Sequence, residues 1–262
     1  MAASFVPMSG EAGPISEDAL LDGKLVLRQP VRGHRFGHDS VLLAAATPAR
    51  PGEYAVELGA GVGAAGLALA RRVEGLTVTL VEIDPALTAL ASENATRNAL
   101  TDRARAVCLD ARAKAAEFTA AGLASGSADH VLMNPPFNAP QNLSPDRARR
   151  LARTASDEML AQWLHTAARL LRPQGTVTLI WRADGLGEVL AALAAGFGAI
   201  AVMPIYPKPG VPAIRILVRG VKDSRGSLTV LPGLVLADAD NGPTAQAEGI
   251  LRRGAALGMS GS

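Results

Sequence analysis

The chain has 262 residues, 48% of them hydrophobic and only 3% aromatic, with a formal net charge of +2. That length suits one large α/β domain with a short extension, and the apolar content excludes disorder over most of the chain. So mild a charge balance neither demands nor forbids nucleic acid, while Cys108 as the sole cysteine excludes a disulfide framework and a thiolate-rich metal site.

In chain order, residues 1–20 carry no basic segment leading into an apolar one, so they read as loosely ordered and not as a secretory signal. The alternation of 25–29 predicts a strand. Asp39 is placed to start a helix over 40–46, before Pro48 and the Pro51-Gly52 pair break the chain. Strands are then predicted at 54–58, 77–82, 105–109, 129–133, 175–181, 199–205 and 213–219. Helices fit 62–72, 85–98, 111–120, 157–171 and 184–195. The expected fold is therefore α/β and Rossmann-like: a seven-stranded, mostly parallel sheet with helices on both faces. No full helix joins the last two strands, so the last strand is expected to be antiparallel. The longest apolar stretch, 189–203, is interrupted by Gly196 and Gly198 and stopped at Pro204. It reads as a helix end and a strand, because a membrane span needs about 20 unbroken apolar residues. An edge strand within 228–236 and a terminal helix over 245–253 complete the pattern.

Two places carry chemistry. The predicted strand Tyr54 to Leu58 runs into Gly59-Ala60-Gly61-Val62-Gly63, where glycines let the backbone turn tightly and a ligand approach the main chain. Residues 61–66 also satisfy GxGxxG, and Glu82 stands at the spacing of a dinucleotide fingerprint, so a nicotinamide cofactor competes at this point. Two details favour S-adenosylmethionine. Glu57 makes Glu-x-Gly-x-Gly-x-Gly, with a carboxylate positioned for the cofactor's ammonium group. Asp110, just after the third strand, is a candidate adenine contact. Glu82 can accept bonds from both ribose hydroxyls; as alternatives, Glu82 reads as a solvated turn carboxylate and Asp110 as a helix N-cap. Asp84, before Pro85, reads as the cap of the next helix.

The second place is Asn134-Pro135-Pro136-Phe137, at the end of the apolar strand Val131-Leu132-Met133. Ligands of open α/β sheets bind outside the carboxyl ends of the strands, so this tetrapeptide faces the same crevice as the glycine loop. An exocyclic amine on a base or amide is planar and poorly nucleophilic. The Asn134 side-chain oxygen and the Pro135 carbonyl can accept its two N–H bonds and aim the nitrogen, prolines fix the carbonyl directions, and Phe137 offers a face for stacking. Beyond it, Arg147, Arg149, Arg150 and Arg153 place four cations in seven residues, a pattern for gripping phosphates or else a solvated helix face. Lys24, Arg28, Arg32, His34 and Arg35 form a second basic group. Trp163 and Trp181 fall in apolar patterns and read as core.

With these residues on hand, the chain resembles the class I methyltransferases with the small-domain Asn-Pro-Pro-Phe/Tyr signature, and most of all the bacterial tRNA adenine-N6 methyltransferases of the valine-tRNA type. The similarity runs over roughly 22–220 and includes Gly33 to Leu43, Val56 to Gly63, Val81-Glu82-Ile83-Asp84 and the tetrapeptide. It implies that Phe36, His38, Asp39 and Ser40 lie over the cofactor. It implies cofactor contacts from Glu57, Gly59, Gly61, Gly63, Glu82, Ile83, Asp110, Ala111 and Asn134. It also implies that the target amine is held by Asn134, Pro135, Pro136 and Phe137. The implied activity is transfer from S-adenosylmethionine to adenine N6 of an RNA, with tRNA the expected partner. Guanine N2 of ribosomal RNA, a protein glutamine, and a non-catalytic cofactor-binding RNA protein stay open. The glutamine enzymes usually carry a long helical domain before the glycine motif, where this sequence has 56 residues ahead of Glu57. The organisation expected is an N-terminal extension, 1–50, capping the cofactor site, a catalytic domain over 51–220 and a tail, 221–262, packed on it. A cytoplasmic protein without metal or membrane span is expected, as a monomer or a homodimer.

Overall fold

The computed structural model describes residues 14–31, 36–136 and 145–259; within 145–157 only the backbone is described. It opens on a hairpin. β1 (Ile15–Leu20) pairs antiparallel with β2 (Leu25–Pro30), from Ile15↔Pro30 to Leu20↔Leu25. Leu21, Asp22 and Gly23 turn the chain at positive φ. The expectation that 1–20 is loosely ordered is therefore corrected for 15–20: β1 has a weak pattern of its own, and its ladder depends on the partner strand. β2 turns Leu25, Leu27 and Gln29 inward, the alternation its sequence shows.

α1 (His38–Ala46) leads into the alternating units. These are β3 (Tyr54–Leu58), α2 (Ala64–Arg72), β4 (Thr77–Glu82), α3 (Pro85–Arg97), β5 (Ala104–Cys108), α4 (Ala115–Ala120), β6 (Ala128–Met133), α5 (Pro145–Leu170), β7 (Leu171–Arg182), α6 (Leu186–Leu193), β8 (Phe197–Tyr206) and β9 (Arg215–Lys222). The seven strands lie in the order β8-β9-β7-β6-β3-β4-β5. β3 to β7 are parallel to one another, and β9 runs antiparallel to both β7 and β8. The antiparallel final strand is thus inserted between its two predecessors, as a short β8–β9 connection permits. The sheet divides the core into two apolar clusters. One packs Leu42, Leu67 and Ala91 of α1 to α3; the other packs Phe118, Leu160 and Val189 of α4 to α6.

Most element ends shift by a few residues from the sequence expectation, and four differences have a plain physical reason. α2 begins at Ala64 and not at 62, because Gly63, its N-cap, sits at φ +85°. α4 loses the residues from 111 to 114, since Asp110 accepts the Arg112 N–H in a turn of its own. α5 starts at Pro145, twelve residues before the expected 157, and has 26 residues. Proline suits the first helical position, and the Arg, Ala and Leu that follow are good helix formers. The single edge strand expected within 228–236 is two short ones, β10 (Thr229–Val230) and β11 (Leu234–Val235), both parallel to β8 and interrupted at Pro232, which has no N–H to donate. They bring the sheet to nine strands among the described residues.

α7 (Ala245–Leu251) is capped by the Thr244 hydroxyl, which accepts the Ala247 N–H. Beyond it Leu257 N–H donates to the Ala45 carbonyl of α1 at 2.8 Å, and the Arg219 guanidinium of β9 donates to Met259 O at 2.8 Å. Residues 245–259 are thereby seated on α1 and the sheet. Among the described residues no helix is long and apolar enough to cross a membrane, and no group of three His, Cys, Asp or Glu is arranged to hold a metal ion.

Candidate functional site

The carboxyl ends of β6, β3, β4 and β5 are neighbours, so Asn134, the glycine loop, Glu82 and Asp110 meet along one rim. The loop after β3 needs its glycines. Gly59, Gly61 and Gly63 all have positive φ, a region that costs an L side chain about 1–2 kcal/mol. A Cβ at Gly59 would also run into the ring of Trp163 on α5, whereas one at Gly61 would meet nothing within 4 Å. The loop is therefore backed by an indole on one side and open on the other.

Glu82 ties this loop to the next. One carboxylate oxygen accepts the Gly61 N–H at 2.7 Å and the other the Asp84 N–H at 2.9 Å. It is buried, so the reading of it as a solvated turn carboxylate fails. Asp84 caps α3 by accepting the Ala86 and Leu87 N–H groups, as its position before Pro85 predicts. Ile83 beside it leaves 57% of its surface exposed, an apolar face on the rim.

Glu57 is buried and accepts the Gly66 N–H at 2.7 Å, inside the first turn of α2. Burial pushes its carboxyl up to about 8. The structure turns this side chain onto the helix that the glycine loop feeds, so it supports the loop from beneath. Asp110 does not cap a helix, since α4 begins only at Ala115. It grips Arg112, whose guanidinium holds its carboxyl below the usual range. Ala111 next to it is buried.

Asn134 follows β6 directly. Its side-chain oxygen is buried and has no hydrogen-bond partner among the described residues. Pro135 is buried and Pro136 half-buried beside it. Phe137 lies outside the described residues, as do the side chains of Arg147, Arg149, Arg150 and Arg153, whose backbone forms the first turns of α5. Of the second basic group, Arg32, His34 and Arg35 are outside the described residues as well, and Arg28 is engaged by Glu93 and Glu17.

The segment before α1 reaches the same rim. Phe36 packs against the core and donates its N–H to Gln29 at 3.1 Å; His38 is exposed and Ser40 buried. Asp39 accepts from the Arg215 guanidinium at 2.9 Å. Because β9 is antiparallel, its first residue lies beside Arg182, the last of β7, at the carboxyl end of the parallel strands. Arg215 thus fastens the α1 entrance to the sheet. Neither this clasp nor the support of Gly59 by Trp163 has a local sequence signal.

A nucleoside cofactor bearing an amino acid fits these donors and acceptors. An open backbone at Gly61, a buried carboxylate one strand away, an exposed apolar Ile83 and the unpaired Asn134 oxygen form a continuous rim.

Comparison with known proteins agrees. The methyltransferase small domain model matches residues 34–205. A tRNA1(Val) (adenine(37)-N6)-methyltransferase of Tolumonas auensis is 32% identical over 165 residues, or 63% of this chain and 65% of that protein. The match therefore spans just under two thirds of that relative's length. The Bacteroides fragilis protein of the same name is 30% identical over 70% of this chain and 76% of its own. Among solved structures, a predicted O-methyltransferase, protein Atu636 of Agrobacterium tumefaciens, superposes with a TM-score of 0.71 at 28% identity, covering 84% of this chain and 98% of that one. TrmN from Thermus thermophilus shares the fold, with a TM-score of 0.51 at 22% identity over 71% of this chain and 47% of its own.

Proposed function

The chain belongs to the methyltransferase small domain family, whose methyl donor is S-adenosylmethionine, and on that premise we propose that it methylates N6 of an adenine in tRNA. One observation carries the choice of a planar amine: the buried side-chain oxygen of Asn134 has no partner among the described residues. A buried acceptor left unpaired costs about 1–3 kcal/mol. A substrate N–H removes that cost on binding, and the Pro135 carbonyl takes the second N–H of the amine. The nitrogen is held with its lone pair turned towards the cofactor side of the rim. When bound, S-adenosylmethionine supplies an electrophilic methyl group.

Glu82 is assigned to the ribose hydroxyls, Ile83 and Ala111 to the faces of the adenine ring and Asp110 to its amino group. Gly59, Gly61 and Gly63 admit the amino-acid end, with Glu57 holding the helix behind them. Phe36, His38, Asp39 and Ser40 close the site from the α1 side. Phe137 is assigned to stacking on the target base, and Arg147, Arg149, Arg150 and Arg153 to the RNA backbone. No strong base is required, because the proton of the attacked nitrogen becomes acidic once the methyl group is attached. A hydroxyl acceptor is a poorer match, since an amide such as Asn134 cannot remove its proton. The names of the relatives support adenine in tRNA over guanine N2 or a protein glutamine. Such a substrate puts the site of action in the cytoplasm.

The test is to incubate the protein with labelled S-adenosylmethionine and separate tRNA, ribosomal RNA and protein fractions, then identify the product. N6-methyladenosine in tRNA is expected. Label in N2-methylguanosine or methylglutamine would overturn the adenine assignment, and absence of transfer to every fraction would favour a non-catalytic role.

A further inference from the structure

We propose that a notch between the turn after β5 and the middle of α5 binds a backbone phosphate of the RNA substrate, an inference that rests on the RNA reading above. The cavity measures about 310 Å³ and is lined by Arg112, Gln162, His165, Thr166 and Arg169 together with two alanines. Every polar side chain there can donate a hydrogen bond, and none of the lining residues is a carboxylate. Glu158, one turn earlier on α5, is exposed and does not line it.

The two arginines are held in place. Arg112 engages Asp110 through Nε and Nη2, so its Nη1 edge has no partner among the described residues. The Arg169 guanidinium lies 4.9 Å from the centre of the Phe118 ring and donates from Nη2 to Ala113 O, while its buried Nε has no partner among the described residues. Cations already fixed by other contacts lose little freedom when an anion arrives, so the notch is preorganised for one. Gln162 and His165 stand exposed at its edge.

Its place on α5 favours a polyanion over a lone ion. The arginine-rich run opens the same helix, just past the tetrapeptide. At 1.5 Å per residue, Arg147 and His165 are about 27 Å apart along the axis, a track over several nucleotides. Phosphate contacts of this kind fix the register of an RNA without reading its sequence.

The test uses the full chain and two variants, Gln162→Glu and His165→Glu. Both sites are exposed, glutamate is a good helix former, and at position 165 it would precede Arg169 by four residues, the favourable orientation, so folding is preserved. Binding of total tRNA is measured against salt, and S-adenosylmethionine binding by calorimetry. His165→Glu is expected to weaken tRNA binding about tenfold and to lower the slope of log affinity against log salt by about one. Cofactor affinity is expected to stay unchanged. Unaltered tRNA affinity and slope in both variants would overturn the proposal, as would inorganic phosphate binding that those variants abolish without affecting tRNA. A parallel loss of cofactor affinity would assign the notch to the cofactor and overturn it too. Normal methylation of tRNA by variants that bind it as the wild type does would leave the proposed function intact; a wild-type protein that binds no RNA would overturn both.

Discussion

Replacing Asn134 by alanine should lower activity and leave stability unchanged or raised, opposite effects that trace to one buried oxygen. That oxygen has no partner among the described residues, and its desolvation costs about 1–3 kcal/mol. Deleting it returns this amount, less the van der Waals packing of a half-buried side chain, for a net gain of zero to about 1 kcal/mol. In a protein of this size 1 kcal/mol corresponds to a rise in Tm of about 2–4 °C. Activity moves the other way, because removing a hydrogen-bonding group aimed at the reacting atoms costs about 10²–10³ in rate, or roughly 3–4 kcal/mol. The assays are thermal unfolding, calorimetric titration with S-adenosylmethionine, and single-turnover methyl transfer to tRNA. A Tm lowered by several degrees would show that Asn134 is a structural turn residue, and near-normal transfer would refute its assignment to the target amine.

Three further outcomes are expected. Burial raises the Glu57 carboxyl from 4.5 to about 8, so the folded state holds a proton that the unfolded chain releases above about pH 4.5. The stability contributed by this group is complete below that pH and is lost as pH rises to about 8, at no more than about 1.4 kcal/mol per unit. Urea unfolding from pH 5 to 9 should show a flatter pH dependence in Glu57→Gln, and an unchanged slope would argue against the raised pKa. Glu82→Gln should weaken S-adenosylmethionine binding about 10- to 100-fold, since charge-assisted bonds contribute about 1.5–3 kcal/mol each; calorimetry giving a wild-type Kd would remove Glu82 from the cofactor site. Gly59→Ala combines a φ of +68° with a collision against Trp163. A stability loss of about 2–4 kcal/mol is expected in denaturant unfolding, with a changed Trp163 emission, and neutrality would show that the loop relaxes freely.

Features that arise within a few residues were legible in the amino-acid order alone. Alternating strands and helices, the glycine turn at 59–63 and the Asp84-Pro85 cap are governed by backbone sterics and local hydrogen bonds, and they follow one another in the predicted order, with element ends shifted. The antiparallel placement of β9 was legible because its connection to β8 is too short for a crossover. Pairings between distant residues could not be read in this way. β1 forms only against β2, and α1 is clasped to the sheet by Asp39 and Arg215, 176 residues apart. The Glu57 carboxyl is raised only because α2 and the sheet bury it. The notch likewise gathers Arg112 and the α5 residues from either side of a strand and a helix. Tertiary packing decided these, because desolvation and side-chain pairing depend on which surfaces the folded chain brings together, and spacing along the chain does not encode that.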